Sequence, residues 1–318
     1  MARRSPSAAG EPATVTSGRP PVWLGGALKR SAGRVPLHLA VIGLAAIWSI
    51  PTIALLVSSF REPGAVITSG WWNAIRAPLD FTLDNYRNVL EARGMDQAFV
   101  NSLIISVPST VLVILVAALA AYAFAWMQFP ARNVLFLVVV GLLVVPVQMT
   151  LIPVLRLYVD LTVDKELPLL GGRLFGTSSY TGIWLAHTAY GLPFAVYLLR
   201  NFFGALPRDL FESAYLDGAS DLRVFLRIVL PLSMPAIAAL TIFQFLWVWN
   251  DLLVALILLG DPELAPMTLR ITSLVTSYGT QYQLLTAAAF ISMALPLVIF
   301  FALQRYFVQG ILAGAVKG

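Results

Sequence analysis

Reactive side chains are few in this chain, and their types and spacing suit docking and solute contact better than covalent chemistry. Glu212-Ser213-Ala214-Tyr215-Leu216-Asp217-Gly218-Ala219 sets two carboxylates and a glycine in a polar stretch between hydrophobic runs, with Pro231 and Pro235 behind it. The next run carries Trp249-Asn250-Asp251, and Gln148, Tyr190, Asn201 and Gln244 stand as polar groups in apolar surroundings. Hydrocarbon makes unsatisfied polar groups expensive, so such residues are retained with a partner or a function. The chain has no cysteine, which removes disulfides, thiolate metal sites and cysteine nucleophiles. His38 and His187 are its two histidines, which argues against a histidine metal site. No G-x-x-x-x-G-K-[ST] occurs, and Gly25-Gly26 and Gly171-Gly172 lack the lysine of a phosphate cradle. Any uphill work must therefore draw its energy from another chain.

The elements that position these residues are membrane spans. Of 318 residues, 58% are hydrophobic and 12% charged, and the mean hydropathy is +0.81, too apolar for a water-soluble domain. Residues 1–35 are rich in Ala, Ser, Gly, Pro and Arg and read as a disordered tail; the first long apolar run begins too late for a cleaved signal peptide. At roughly 20 apolar residues per crossing, six spans are expected, giving an all-α polytopic fold over residues 36–318. They run about Leu37–Ser59, Asn101–Trp126, Asn133–Leu155, Thr181–Phe203, Leu232–Leu259 and Leu284–Phe307. The fifth is long enough to tilt, bend or continue as a second short segment. Pro51, Pro146, Pro153, Pro193 and Pro296 mark expected kinks.

With six spans both ends share one side. That side takes Arg3, Arg4, Arg19, Lys29, Arg30, Arg34, Arg132, Arg200, Arg208, Arg223, Arg227, Arg305 and Lys317 against five acids, whereas the other side has more acids than bases. The positive-inside rule puts both termini and the Glu212 stretch in the cytoplasm of a bacterial-type plasma membrane. Trp71 and Trp72 suit interfacial anchors on the opposite face.

Residues 204–231 form the polar connector. Pro207 suits the first turn of a helix in which Leu210, Phe211, Ala214 and Tyr215 share a face, and Arg208 and Glu212 are spaced to pair. Gly218 can end that helix in the left-handed conformation, and Ser220 can cap a second one. Leu222, Phe225, Leu226 and Val229 follow the apolar period of this second helix up to Pro231. A structured connector between two spans would account for the helix pattern alone.

As a motif, Glu212-Ser213-Ala214-x-x-Asp217-Gly218-Ala219 followed by Phe225-x-x-Ile228-x-Leu230-Pro231 and Pro235 resembles the E-A-A-x-x-x-G loop of ABC importer permeases, with Ser213 in place of the usual first Ala. Asn101-Ser102-Leu103, Ala120-Ala121-Tyr122-Ala123-Phe124-Ala125 before Phe129-Pro130, and Trp249-Asn250-Asp251 are similar to maltose-type sugar permeases. The ending from Gln304 to Gly318 is similar to their shorter, MalG-like subunit. The resemblance implies the MetI-like permease core and a binding-protein-dependent importer of a di- or oligosaccharide. Its pathway would be shared with a second, MalF-like permease; two ATPase subunits would hold ATP and Mg in the cytoplasm, and an extracytoplasmic protein would deliver the sugar. This chain would bind no cofactor, metal or nucleic acid and would not be an enzyme.

The resemblance makes the connector a coupling helix, with Arg208, Leu210, Phe211, Glu212, Ala214, Tyr215, Asp217 and Gly218 at the ATPase contact. An apolar patch of Leu210, Phe211 and Tyr215 with Glu212 for register is the chemistry such a contact needs; Asp217 can also simply bond backbone donors of its turn. Tyr190, Gln244, Trp249, Asn250 and Asp251 are the pathway residues, the alternative for Asn250 and Asp251 being a packing or hinge role in a long span. Trp247 and Trp249 are two apart and do not share a helical face. Tyr278, Gly279 and Thr280 suit a small, glycine-hinged probe reaching the binding protein, and the tail 308–318 would lie along the ATPase pair. Other solutes, such as a polyol, glycerol phosphate or an amino acid, would fit the same loop. A membrane-embedded transferase would need clustered carboxylates or histidines that the spans lack.

Overall fold

The computed structural model describes residues 22–76, 81–161, 163–166, 173–277 and 281–315. It divides into two compact units, 1–54 and 55–318. In order, the chain forms α1 (Val22–Ser59), α2 (Pro63–Thr68), a 3-10 turn at Trp71–Ile75, α3 (Asp84–Arg87) continued as a π turn to Ala92, α4 (Met95–Trp126), α5 (Arg132–Leu142), α6 (Val147–Asp160), β1 (Val163–Glu166), β2 (Arg173–Phe175), α7 (Tyr180–Gly204), α8 (Arg208–Leu216), α9 (Asp221–Val224) continued through a π turn at Phe225–Val229 into α10 (Leu230–Leu232), α11 (Met234–Trp249), α12 (Leu253–Leu258), α13 (Met267–Ser277) and α14 (Tyr282–Ala315).

Within the described residues, Val35–Ser59, Met95–Trp126, Tyr180–Gly204 and Tyr282–Gln304 are long and apolar enough to cross a membrane, and two bent pairs, α5 with α6 and α9–α10 with α11, raise the total to six when each pair is counted as one span. The expected six is the upper end of this range, and the second, fourth and sixth spans fall close to where hydropathy puts them. The first unit is helical from Val22, inside the stretch read from sequence as tail; its apolar part from Val35 exposes Leu37, Leu44, Ile47 and Trp48, as a lipid-facing segment must.

The third expected span is not one straight helix. α5 and α6 meet at 101°, and Pro146 is the reason. A proline pushes the residue before it out of the helical region, so Leu143, Val144 and Val145 close short turns onto Val140, Gly141 and Leu142, and Pro146 becomes the extended cap of α6. The fifth expected span is broken twice. It bends by 76° at Ser233 and stops again at Trp249, before the short α12. The helix before it does not end at Pro231 as expected but runs to Leu232; Pro231 has no N–H, and the register widens to a π turn in which Leu230 bonds Phe225. Pro51, Pro153, Pro193 and Pro296 stay inside their helices. One departure from an all-helical chain is the antiparallel β1–β2 pair in the connection after α6. α14 remains helical to Ala315, into the segment expected as a C-terminal tail.

The core of the second unit is built on α4 against α7. Their contact uses small residues, Ala117, Ala118 and Ala121 facing Ala195, which let two backbones approach where lipid offers no hydrophobic drive of its own. Three buried clusters follow along this axis. The first, around Leu199, Phe203, Phe211 and Leu240, lies at the α8 end; the second, around Ile105, Ile183 and Leu258, and the third, around Met95, Trp249 and Met267, lie farther along α4 toward its start.

Asn101, wholly buried in α4, ties the last two regions together. Its Nδ2 donates to the carbonyls of Glu263 (2.6 Å) and Ala265 (3.1 Å), and its Oδ1 accepts from Tyr180 (2.8 Å) and Gln97 (3.0 Å). Ser102 next to it accepts from the N–H of Met267 at 2.9 Å. Leucine at 101 would strand two carbonyls and a tyrosine hydroxyl, a loss of about 3–9 kcal/mol at about 1–3 kcal/mol per buried unpaired group. Asn101→Leu is therefore expected to lower the thermal midpoint of the detergent-solubilised chain clearly, and Gln97→Ala hardly, in a fluorescence unfolding scan.

Candidate functional site

The connector folds as its spacing suggests. Pro207 caps α8 with extended backbone (φ −60, ψ 133), and the helix ends in a Schellman turn: Gly218 N–H bonds Tyr215 O at 3.0 Å and Ala219 N–H bonds Ala214 O at 2.9 Å, with Gly218 at φ +75. A Cβ on Gly218 would meet nothing within 4 Å, so the requirement for glycine is one of backbone conformation and not of space. Asp217 is not the turn's organiser; its side chain makes no hydrogen bond among the described residues, because backbone groups already close the turn. Ser220 occupies the cap position of α9 with its backbone, and its hydroxyl does not bond the helix.

The two faces of α8 part sharply. Phe211 is buried (3% exposed) and stacked on Trp126 of α4 at a centroid distance of 3.6 Å and 19°, while the Trp126 Nε1 donates to Phe203 O of α7 at 3.0 Å. Ala214 packs into the same core. Phe211 is thus unavailable to a partner protein, and its expected place in the outward patch is corrected: the apolar period of α8 marks the face held by this chain. The Tyr215 ring is half-exposed, and its hydroxyl donates to Asp221 Oδ1 at 2.7 Å and lies 3.4 Å from the Tyr122 hydroxyl of α4. Desolvation, then hydrogen bonding to Tyr122 and Asp221, raises the Tyr215 pKa above the tyrosine norm, so it keeps its proton at neutral pH.

Facing outward are Arg208, Asp209, Leu210, Glu212, Ser213, Leu216 and Asp217. Arg208 and Glu212 form no ion pair despite their spacing, leaving both charges presented to the outside. Leu216, 88% exposed, is the most exposed apolar group there. Sequence reasoning passed over it, although its place two residues from the inward Ala214 turns it to the opposite side of the helix. Leu222 and Leu226 are exposed beside it in sequence, on the second helix.

Of the expected pathway residues, the structure brings Tyr190 of α7 and Gln244 of α11 together on one recess of about 290 Å3, with Gly191, Phe194, Phe243 and Trp247. Trp247, not Trp249, is the tryptophan that lines it. Trp249 is buried (2%), donates to Ser292 O at 3.0 Å, and packs between Phe99 and Phe245, so its role is in the core. Asn250 bonds back onto Leu246 O of its own helix at 2.8 Å. Asp251 accepts from the N–H groups of Val254 (3.3 Å) and Ala255 (3.1 Å), which satisfies the free start of α12, and it lies 3.8 Å from His187 Nε2. The Asp251 backbone carbonyl accepts from Thr268 at 2.6 Å. Asn250 and Asp251 therefore build the break between α11 and α12 and do not line the recess. Tyr278, Gly279 and Thr280 lie outside the described residues. No cluster of metal-ligating side chains occurs among the described residues.

Residues 98–313 match the model of the binding-protein-dependent transport system inner membrane component family. The osmoprotective compounds uptake permease protein GgtD of Synechocystis sp. is 54% identical over 89% of this chain and 92% of its own length, and the alpha-glucoside transport system permease protein AglG of Rhizobium meliloti is 42% identical over 91% and 99%. Among solved structures, a chain of a bacterial ABC transporter that imports the acidic polysaccharide alginate shares the fold, with a TM-score of 0.69 at 21% identity over 92% of this chain and all of that one. A protein built this way is a multi-pass inner membrane subunit whose ATPase is a separate partner, and it performs no catalysis itself. With a membrane bundle that carries an outward-facing α8 at one end and a recess between α7 and α11, the chain belongs to the family of inner membrane permease components of binding-protein-dependent ABC importers.

Proposed function

We propose that this chain forms half of the translocation pathway of a sugar importer, shared with a second homologous permease, and that two cytoplasmic ATPase subunits drive it through α8 while an extracytoplasmic binding protein delivers a di- or oligosaccharide. Residues 36–318 make the permease domain, the connector 204–231 its coupling element and 308–318 a tail along the ATPases, with both termini cytoplasmic. The observation that carries the reading is the two-faced α8: Phe211 and Ala214 sit in the core formed by α4, α7 and α11, while Glu212, Leu210 and Leu216 are left without a use inside this chain. A partner groove would bury about one leucine's worth of apolar surface at Leu216, roughly 1.5–3 kcal/mol, with Glu212 fixing register.

Movement of the ATPases then has a route. A displacement of α8 passes through the Trp126 stack to α4 and through the Phe203 carbonyl contact to α7, whose opposite stretch lines the recess. A sugar is favoured by the relatives named for alpha-glucosides, arabinooligosaccharides and melibiose, raffinose and stachyose. A small osmoprotective compound is the second reading, favoured by the relative at 54% identity.

Two outcomes follow. Glu212→Ala and Gly218→Asp should leave the chain in the membrane while reducing the ATPase that copurifies with it; the aspartate has to adopt φ +75 at a cost of about 1–2 kcal/mol. If both variants retain the ATPase and stimulate hydrolysis like the parent, α8 is not the coupling element. In cells with and without the chain, labelled maltose or raffinose should enter only when it is present. Uptake confined to a zwitterionic osmolyte such as glycine betaine would remove the sugar reading and leave the coupling reading intact.

A further inference from the structure

Proline has no backbone N–H, so within a helix the carbonyl four residues before it loses its usual partner. Pro108 inside α4 does this to Ile104, Pro296 inside α14 does it to Ser292, and Pro207, which stands where α7 would otherwise continue, does it to Phe203. Each of these three carbonyls accepts the indole N–H of a tryptophan from another helix. Trp184 of α7 donates to Ile104 O at 2.7 Å, Trp249 of α11 to Ser292 O at 3.0 Å, and Trp126 of α4 to Phe203 O at 3.0 Å. At Phe203 the carbonyl also takes the Leu206 N–H at 3.2 Å. The partners are 80, 43 and 77 residues apart in sequence, so no local pattern produces the pairing. Three of the eight tryptophans therefore do one job, which is to replace a donor that a proline withholds.

Two of the three donors stand on α7 and α11, the helices that carry Tyr190 and Gln244 to the recess. We propose that Trp184 and Trp249 are positioning residues for transport, each pinning one wall of the recess to the place where the helix behind it lacks its own ladder bond: α7 to α4 at Pro108, and α11 to α14 at Pro296. A helix bends most readily where a proline interrupts its ladder, and hydrocarbon offers the freed carbonyl no water, so a neighbouring helix has to supply the donor. Indole suits the task because it is rigid and carries one N–H that can only donate. A wall held in this way follows the helix behind it and does not slide over it. Trp249 is the last residue of α11, next to the break that Asp251 closes, so its bond fixes α11 where the backbone is otherwise interrupted. Trp126 repeats the device at the α8 end, where it also stacks on Phe211. The inference rests on the reading of α8 as the coupling element and of the recess as part of the pathway.

The test measures ATP hydrolysis by the assembled complex of this chain, its partner permease, the ATPase and the binding protein in nanodiscs, expressed per copy of copurified ATPase. Replacing Trp184 or Trp249 by 3-benzothienylalanine, which keeps the shape of the side chain and lacks its N–H, should lower the rate roughly three- to tenfold, as for loss of one neutral hydrogen bond. Alanine in place of the proline returns the missing backbone donor. Pro108→Ala should therefore bring the complex altered at Trp184 back to within about twofold of the parent and leave the one altered at Trp249 uncorrected, and Pro296→Ala should do the reverse. A side chain needed for its bulk alone would not respond to the isostere and would not be rescued pair by pair. A rate unchanged by the isostere, no rescue by the matching alanine, or equal rescue by either alanine overturns the proposal. The amount of ATPase that copurifies reports the coupling reading on its own, so a failure of that reading is distinguished from a failure of the tryptophan pins.

Discussion

Phe211 against Trp126 is the contact on which the rest of this molecule depends. Seen from α8 alone, a nine-residue helix is too short to hold itself together in water, and its stability must come from the face it buries. Stacking at 3.6 Å with Phe211 almost fully enclosed supplies that face, and burial of an aromatic side chain is of the size, about 3–5 kcal/mol on truncation, that can fix a short helix in one orientation. Because Trp126 also donates to Phe203, the same side chain joins α4, α7 and α8 at a single point. Tyr122, Tyr215 and Asp221 add a polar strut from α4 across α8 to the start of α9. α8 is thus held to the bundle through Phe211 and Tyr215, while Glu212 and Leu216 on its outer face stay exposed.

The bundle obeys a second constraint, that backbone broken inside a membrane domain must find new partners. At the α11–α12 break the solution is Asp251, whose carboxylate takes the exposed N–H groups of α12 and whose carbonyl takes Thr268. At Ser233 and Pro146 short turns do the same work with backbone alone. These breaks free the chain from straight rods and let α7 and α11 present aromatic and amide side chains to a common recess at Tyr190, Gln244 and Trp247.

Much of this was readable from residue order. The spans, the α8 helix beginning after Pro207 and the left-handed Gly218 all follow from local rules of periodicity, capping and backbone sterics, and those rules need no knowledge of neighbours. What could not be read was which face of a helix meets which other helix. Phe211 and Leu216 are both apolar residues on an amphipathic helix, and only the presence of Trp126 and Phe203 decides that the first is held inside and the second left outside. Trp247 and Trp249 posed the same question with the opposite result from that expected: Ser292, Phe99 and Phe245, distant in sequence, claim Trp249 for the core. Asp251 was legible as either pathway or hinge, and the geometry of the α12 N–H groups assigns it to the hinge.

The central claim, that α8 moves with α4 as one body, can be measured directly because the chain has no cysteine and accepts paired labels without further substitution. Spin labels at Asp209→Cys on α8 and Leu119→Cys on the exposed side of α4 give the distance between the two helices by pulsed electron resonance in the assembled transporter. The distance should be the same in the nucleotide-free and vanadate-trapped states. A distribution that shifts beyond its own width on trapping would show that α8 slides on its seat, and that the Trp126 stack does not carry the movement into the bundle.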